Sequence, residues 1–410
     1  MTTRRRILHV IHERIGAVGG IQRFDLRVLR TLSGIAQELG YEFEVLALNG
    51  VATGIALPEA IRLVTADGSR ARLLWLLLQR HRRAQLDLVF VAHLRLQKAL
   101  WPARLLFPGS RYLLFVHGIE AWSAGRTRRN RLAARAIVRF CVDDVVSVSR
   151  FTARRFRDAF AATRHRLHLL PNALDLSPED AQVREPRPVM HQPVVLTVAR
   201  MDPHDLPKGI SAALRAIALL VPQFPQLRYR IVGDGALRSG YEALAAELGL
   251  QTRVEFLGRV AEQALRSIYD EADVFLLPSS KEGFGIVFLE AWRQALPVVC
   301  GNVDASTEVV EDGVDGFTVD PHDPEAIARA LRRLLDDAVL RQTFGQRGRE
   351  KVARDYSGAV FAERLQRIVT SELAALPFDS LPGGASIDAE RTTETDPPRY
   401  SAAQRWHRSP

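Results

Sequence analysis

The stretch ADVFLLPSSKEGFGIVFLEA, residues 272–291, decides how the whole chain is interpreted. It starts with a short apolar run typical of a buried strand, continues through a loop with two glycines, and ends in a second apolar run. Two carboxylates stand eight residues apart, Glu282 in the loop and Glu290 within the second run. Because carboxylates are seldom buried without partners, Glu290 requires either a binding role or a neighbour that pairs with it.

The same order of strand, loop and helix recurs along the chain. Short apolar strands that alternate with amphipathic helices indicate a parallel sheet covered on both faces, so the predicted fold class is α/β. We predict strands at 6–12, 43–49, 86–93, 111–118, 143–149, 168–175, 194–200 and 227–235, and within 253–260, 272–279, 297–302 and 315–320. We predict helices at 21–39, about 70–83, 126–140, 209–221, 237–249 and 359–375.

A polar, proline-rich segment at 177–193 has no periodicity and divides the chain into two α/β units of similar size. The length of 410 residues also favours two domains. We therefore predict doubly wound Rossmann-like domains at 1–182 and 187–356, with a cleft between them. A helix at 357–376 is expected to cross back to the first domain, and the tail at 377–410 to be disordered.

The overall composition is that of a folded protein, with 47% hydrophobic and 25% charged residues. The N-terminal residues lack the apolar core of a secretory signal, and no apolar run approaches the roughly 20 residues that span a bilayer. The two cysteines, Cys141 and Cys300, stand far apart in apolar surroundings, so no disulfide framework is predicted. We expect a cytoplasmic protein.

The net charge of +9 is unevenly distributed. Residues 1–185 contain 30 Lys and Arg against 16 Asp and Glu, a net charge of +14, and the remainder carries −5. The arginines concentrate at 125–139 and 149–160. Three interpretations compete: a solvated face, contact with the anionic inner face of the plasma membrane, and nucleic-acid binding. No nucleic-acid-binding motif or aromatic platform accompanies the charge, so nucleic acid is the least favoured partner.

Ligands of open parallel sheets bind beyond the carboxyl ends of the strands, so binding motifs are expected there. The loop GAVGG, residues 16–20, follows the first predicted strand and precedes a helix, where glycines and a helix N-terminus suit a phosphate. The full dinucleotide fingerprint is absent, and a plain tight turn is an equal alternative. His117 ends another strand and faces the same edge, although a lone histidine is more often structural.

Two cations follow the first strand of the second unit. Arg200 stands at its end, and Lys208 follows a proline-containing loop just before a helix, an arrangement that suits a diphosphate. The alternative is a pair of surface cations. The turn VGDG, residues 232–235, lies at the same predicted edge and supports the binding interpretation.

The loop 279–285 provides a third anion site, because Gly283 and Gly285 free backbone amides ahead of a helix. The carboxylates of Glu282 and Glu290 can accept hydrogen bonds from hydroxyl groups, as a sugar or a ribose would offer. The alternatives are a helix N-terminal acid for Glu282 and an exposed helix residue for Glu290. The second alternative is weak, because the neighbours of Glu290 leave little polar face.

With these motifs together, residues 6–372 resemble the retaining group 4 nucleotide-sugar glycosyltransferases of the GT-B fold, most strongly at 194–320. EGFGIVFLE resembles the E-x7-E motif of that family. The resemblance implies that Glu282 contacts the transferred sugar, Glu290 the ribose, Arg200 and Lys208 the diphosphate, and His117 the reacting carbon. It makes His117 and Glu282 the catalytic residues. The further donor-binding residues that it implies are Gly19, Gly20, Gly233, Gly235, Gly258, Arg259, Gly283, Phe284, Gly285 and Ile286.

The resemblance also implies the reaction. The second domain would hold the nucleotide sugar, the first would bind a glycan or lipid-linked acceptor, and a hexose, with mannose or glucose favoured, would be transferred in cell-surface polysaccharide synthesis. No metal and no cofactor are expected. The chain departs from the family in the loop 304–308, near the expected donor sugar, and in the longer loop 201–207. A nucleotide-sugar hydrolase or epimerase, or a non-catalytic nucleotide-sugar-binding partner protein, remain alternatives.

Overall fold

The computed structural model describes residues 5–17, 19–81, 85–118, 128–162, 164–174, 176–177, 192–203 and 208–376. The predicted tail at 377–410 lies outside the described residues, as do most of the linker at 177–193 and residues 204–207 of the loop before Lys208. Within the described residues, both cysteines are buried and free. No helix in the described part of the chain combines the length and the apolar composition that a membrane crossing requires.

The first unit is a parallel sheet of seven strands in the order β3-β2-β1-β4-β5-β6-β7. Its strands are β1 Arg5–Ile11, β2 Glu42–Ala47, β3 Ile61–Thr65, β4 Gln85–Val91, β5 Arg111–Val116, β6 Asp144–Ser147 and β7 Leu167–Leu169. Its helices are α1 Gly20–Glu38, α2 Arg70–His81, α3 Gln97–Leu106, α4 Arg128–Cys141 and α5 Arg150–Phe160. Alternate strand residues enter two separate cores. Leu8 and Val10 pack with α2 to α5, whereas Ile7 and Ile11 pack with α1.

The second unit is a parallel sheet of six strands in the order β10-β9-β8-β11-β12-β13. Its strands are β8 Val194–Val198, β9 Arg228–Val232, β10 Val254–Gly258, β11 Val274–Leu277, β12 Val298–Gly301 and β13 Gly316–Val319. Its helices are α6 Ile210–Leu220, α7 Arg238–Glu247, α8 Glu262–Glu271, α9 Ile286–Arg293, α10 Ser306–Val309, α11 Pro324–Asp336 and α12 Ala338–Asp355, followed by α13 Gly358–Ala374. Helices cover both faces of this sheet as well.

Both sheets reverse their strand order once, between β1 and β4 and between β8 and β11. At such a reversal, neighbouring connections leave the sheet towards opposite faces and open a crevice at the carboxyl ends of the strands. The predicted α/β class and the parallel sheets are confirmed.

Three elements of the first unit were not predicted from the sequence, namely β3, α3 and α5. The segment of α5 is only 11 residues long, and a threonine and an alanine occupy two of its four buried positions, which weakens its apolar pattern. The helix forms because Ser149 caps it by accepting a hydrogen bond from the Thr152 N–H, while Phe156 and Phe160 enter the core. The last strand was predicted at 168–175 but ends at Leu169, because the chain then turns towards the second half of the sequence.

The final helix, α13, packs against the first unit. The Leu174 N–H donates to the carbonyl of Tyr356 over 2.8 Å, just before α13 begins. Near the other end of α13, the fully buried Glu372 accepts from Arg111 over 2.5 Å and from Arg166 over 3.0 Å. His168 lies 3.2 Å from the same carboxylate. These contacts fix the C-terminal helix to β5, β7 and the segment before β7.

Candidate active site

Loops at the carboxyl ends of the two sheets contact each other between the two units. Gly20, at the start of α1, lies against Ile286 at the start of α9, and a Cβ added to Gly20 would be 3.7 Å from the Ile286 side chain. Gly283 packs on the backbone of His117, so that a Cβ at this position would overlap the His117 carbonyl oxygen. Only glycine allows this approach of the two backbones. Residues predicted from both halves of the sequence therefore line one cleft.

The Glu282 carboxylate forms an ion pair with Lys208, with 2.6 Å between Lys208 Nζ and Glu282 Oε1. The Lys208 and Glu282 side chains are 19% and 12% exposed, so the pair faces the cleft without being sealed from water. A carboxylate that is next to a movable ammonium can exchange this partner for a sugar hydroxyl while the lysine turns to a phosphate. Two predicted site residues that are 74 positions apart in sequence are thus brought together.

Asp304 holds the backbone of Glu282 in place. Its carboxylate accepts from the Glu282 N–H over 2.6 Å and from the Ser306 N–H over 2.9 Å. Burial, and secondarily the nearby charge of Glu282, raise the pKa of Asp304 to about 6. The sequence pointed to the loop 304–308 only as a departure from the family pattern. Through Asp304, the loop 304–308 therefore holds the backbone of the loop that carries Glu282.

Glu290 is buried on α9, which begins after Gly285 in a left-handed backbone conformation with φ of 90°. One oxygen of Glu290 accepts from Arg23 on α1, and the other accepts from the Tyr269 hydroxyl over 3.0 Å. Burial and the Glu290 charge raise the pKa of Tyr269 well above its usual value, so it stays a donor. The alternative of an exposed helix residue is therefore wrong. Neither partner was predicted.

A second set of contacts crosses the cleft at the start of α5. The Gly283 carbonyl accepts hydrogen bonds from Ser149 Oγ over 2.7 Å and from Thr152 Oγ1 over 3.1 Å. Glu308 accepts from the Arg150 N–H over 2.7 Å and from the Arg154 side chain over 3.1 Å. The sequence analysis did not predict these contacts. They hold the loop that carries Glu282 against the first unit.

The His117 ring is half-buried beside this loop. His117 Nε2 lies 3.1 Å from the Ala92 carbonyl, and the ring is 5.0 Å from Phe24 in an edge-to-face arrangement. The His93 ring lies 6.3 Å away in a stacked arrangement. His117 therefore follows β5 at the edge where β1 and β4 also end, and its orientation is fixed by neighbouring side chains.

The other predicted residues divide into cleft and packing positions. Arg200 and Arg259 are exposed just after β8 and β10. Packing alone explains glycine at positions 233 and 235, because a Cβ at either would overlap the backbone of the loop that follows β8. The Phe284 ring is buried, with its centre 5.5 Å from that of Tyr356, so this side chain belongs to the core.

Gly258, another predicted donor-binding residue, has φ of 66° and lies beside Arg238 at the end of β10. Gly19 precedes α1 with φ of 150°, and its carbonyl accepts the Arg23 N–H over 3.0 Å. Both glycines hold backbone conformations that other residues rarely adopt. They therefore shape the two loops whether or not a ligand contacts them.

One group in the described part of the chain has the proximity of metal ligands. Oxygen and nitrogen atoms of Asp144, His168 and Glu372 lie within 4.8 Å of one another. However, Arg111 and Arg166 form ion pairs with both carboxylates, and Asp144 and Arg111 stand at the amino ends of their strands, opposite to the cleft. The group is thus a structural ion-pair cluster and has no part in the cleft.

Comparison with known proteins agrees with this geometry. Residues 18–178 match the family model Glycosyltransferase Family 4, and residues 179–351 match Glycosyl transferases group 1. A relative from Mycolicibacterium smegmatis, a GDP-mannose-dependent alpha-(1-6)-phosphatidylinositol monomannoside mannosyltransferase, is 31% identical over 281 residues, 65% of this chain and 71% of the relative. D-inositol 3-phosphate glycosyltransferase from Corynebacterium efficiens is 34% identical over 192 residues, 45% of this chain and 44% of that protein.

Among solved structures, the Anabaena protein HepE in complex with UDP has a TM-score of 0.68 and 22% identity. The alignment covers 89% of this chain and all of that one. HepE has also been solved with UDP-glucose. The chain spans between 44% and 63% of the length of the first curated relatives that it matches.

The structural match confirms the GT-B fold, in which two Rossmann-like units face each other across a cleft. The two family models divide the chain at residue 178, between the seven-stranded and the six-stranded sheet. Together with the mycobacterial relative, they show that the chain belongs to the group 1/family 4 glycosyltransferases.

Proposed function

We propose that this protein is a retaining glycosyltransferase that moves a hexose from a nucleoside diphosphate sugar to a glycan or lipid-linked glycan. The observation that carries the proposal is the Lys208–Glu282 ion pair at the mouth of the cleft, directly beside the Gly283–His117 contact. An ammonium, a carboxylate and a histidine from two units meet there. A diphosphate, a sugar hydroxyl and an acceptor are the partners that these groups would take.

In this proposal each group has one task. Lys208 and the exposed Arg200 stabilise the negative charge that develops on the departing diphosphate, together with the free amides at the start of α9. Glu282 accepts hydrogen bonds from hydroxyls of the transferred sugar, and Glu290 accepts them from the ribose. Asp304 keeps the Glu282 backbone in position through the 2.6 Å hydrogen bond.

The reaction replaces one bond at the anomeric carbon. The bond to the phosphate oxygen breaks, the acceptor hydroxyl oxygen bonds to the same face, and its proton passes to the leaving phosphate. This front-side route is the one that the family resemblance implies. It requires the charge stabilisation that Lys208 and Arg200 supply, and His117 lies where it would contact the sugar near the reacting carbon.

The names of the relatives support the proposed classes of donor and acceptor. The mycobacterial relative is named for GDP-mannose and a phosphatidylinositol mannoside, and HepE binds UDP-glucose. Mannose and glucose are therefore the favoured sugars for this protein. A lipid-linked glycan of cell-surface polysaccharide synthesis is the favoured acceptor.

A donor panel tests the proposal. Thermal shift is measured with GDP, UDP, ADP and their glucose and mannose derivatives, followed by chromatography of the sugar released or transferred. We expect one nucleotide family to raise the melting temperature, and an α-linked product only when an acceptor is present. No stabilisation by any nucleotide would refute the glycosyltransferase assignment. Free sugar or an epimer without transfer would favour a hydrolase or epimerase, and binding without turnover would favour a nucleotide-sugar-binding partner protein.

A lipid-linked acceptor would require the protein to reach a membrane, and one face of the first unit suits this task. Helices α2, α3 and α4 pack side by side, and their sequences contain ten Lys and Arg residues and no Asp or Glu. Six of the eleven exposed large hydrophobic residues among the described residues lie on these helices. They are Trp75, Leu78, Trp101, Leu105, Leu132 and Phe140.

We call α2, α3 and α4 the basic helical face, and propose that it docks on the anionic inner face of the plasma membrane. Tryptophan and phenylalanine insert at the level of the headgroups, while arginines contact anionic lipid. Each basic residue near such a surface contributes about 1 kcal/mol. A solvated face would not need exposed aromatic residues as well.

Sedimentation with vesicles tests the docking. Removing two charges with Arg70→Gln and Arg139→Gln should weaken binding to phosphatidylglycerol vesicles by about 2 kcal/mol, roughly 30-fold. Trp101→Ala should also weaken it, and the matched control Arg215→Gln, on the exposed side of α6, should not. Equal binding by all variants, or equal binding to neutral and anionic vesicles, would reject the membrane proposal.

A further inference from the structure

A cavity of about 490 Å³ lies between the two units, on the side of Glu290 that faces α1. Its wall consists of α1 from the first unit, α8 and α9 from the second, and the connecting residues 172–174. Among the described residues that line it, Ile286 and Glu290 also belong to the proposed donor site. The cavity therefore borders the donor site and extends away from it.

The wall of this cavity is strongly basic. Its charged lining residues are Arg23, Arg27, Arg30, Arg266, Arg293, Glu262 and Glu290, a net charge of +3. Both glutamates contact the same arginine: Glu290 accepts from Arg23, and Glu262 lies 3.9 Å from it. Arg23 is thus contacted by both carboxylates.

Two features of the arginines favour binding of an anion. Arg23, Arg27 and Arg30 follow one another at spacings of four and three residues, so they share one face of α1, where like charges repel. Arg293 Nε is buried and has no hydrogen-bond partner among the described residues. An unsatisfied buried donor on a charged group is costly, and a bound acceptor would remove that cost.

We propose that this cavity is a second ligand site, which binds a phosphate-bearing small molecule next to the donor site. Guanidinium groups hold phosphate oxygens through paired hydrogen bonds, and several of them around one cavity fit a dianion better than a single carboxylate. The volume is in the range of small-molecule sites and exceeds the size of a free phosphate, which leaves room for an organic portion. A phosphorylated sugar has both parts.

Such a ligand would affect the proposed donor site through Arg23. Arg23 lines the cavity and donates a hydrogen bond to Glu290. A phosphate in the cavity competes with Glu290 for this guanidinium. The ligand would thereby release a carboxylate at the edge of the donor site, and the two sites would respond to each other.

Inorganic pyrophosphate titrated into the full chain by calorimetry tests the site. The proposed donor cations can also bind this probe, so the titration is performed in the Lys208→Ala background. One binding event should remain there, and adding Arg27→Gln and Arg30→Gln should weaken it at least roughly tenfold, the loss of one charge-assisted hydrogen bond. Adding Arg215→Gln instead should change nothing.

Arg27→Lys with Arg30→Lys provides a second variant that keeps the charge. It should bind more weakly than the parent but better than the glutamine pair, because lysine lacks the paired donors. Matching melting temperatures establish that the variants are folded. No binding in the Lys208→Ala background, or binding that is indifferent to both α1 pairs, would overturn the proposal, whatever the donor panel shows.

The source of the phosphate is distinguished by competition. Displacement of pyrophosphate by glucose 6-phosphate, but not by phosphatidylglycerol vesicles, is expected for a soluble ligand. Displacement by the vesicles alone would overturn the assignment to a small molecule and point to a lipid headgroup.

Discussion

The ion-pair cluster around Glu372 and His168 should make the free energy of unfolding fall as the pH becomes alkaline. Burial acts to lower the pKa of His168, but hydrogen bonds with Asp144 and Glu372 outweigh it and raise the pKa to about 9, from 6.5. The protonated histidine therefore stabilises the folded state below pH 6.5, and this stabilisation is lost as the pH rises through 9. Replacing the histidine removes the dependence.

The size of the effect follows from the shift. A difference between 6.5 and about 9 corresponds to roughly 3 kcal/mol at most, and the partial exposure of the ring reduces this to about 2 kcal/mol. We expect the free energy of unfolding of the wild type to fall by this amount, relative to His168→Gln, between pH 6.5 and pH 9. The loss should affect the transition that releases α13 from the first unit.

Urea unfolding at pH 6.5, 7.5 and 9, followed by tryptophan fluorescence, measures this difference. His322→Gln, at an exposed position, is the matched control and should follow the wild type. Parallel curves for the wild type and His168→Gln would refute the reasoning. They would mean that the histidine is not charged in the folded protein, or that the cluster is already present in the unfolded chain.

Three further predictions concern the cleft. Glu282→Ala should abolish transfer and leave nucleotide affinity within a few fold, and equal loss of both would contradict its contact with the sugar. Gly283→Ala should lower both the melting temperature and the transfer rate, because the new methyl group overlaps the His117 carbonyl and costs about 1–3 kcal/mol. A variant with unchanged melting temperature and rate would show that the two units are further apart in solution. Tyr269→Phe removes a hydrogen bond to a buried carboxylate and should cost about 1–3 kcal/mol in urea unfolding, whereas no loss would mean that Glu290 is satisfied without it.

The sequence predicted the architecture because hydrophobic patterning is local. Each buried strand of a doubly wound sheet is a short apolar run, and most of these runs were identified to within a few residues. The order of strand and helix then allows few topologies. The helix α5 was missed although α4, equally rich in arginine, was predicted. The segment of α5 is shorter, and a threonine and an alanine occupy two of its four buried positions, so its apolar pattern is weak.

The candidate site was predicted only in part, because its partners are distant in sequence. Glu290 was expected to need a partner, yet Arg23 stands 267 residues away and belongs to the other unit. Asp304 lay in a loop noted only for its difference from the family. The roles of the site residues and the domain boundaries at 182 and 187 remain predictions, which the variants above address.

The attachment of α13 to the first unit also bears on how the chain folds during synthesis. The first unit is complete in sequence long before Glu372 leaves the ribosome, but its ion-pair cluster lacks the second of its two carboxylates until then. While the second unit is made, Arg111 and Arg166 can pair with Asp144 but not yet with Glu372. The first unit therefore acquires its full stability last, although its residues are the first to be synthesised.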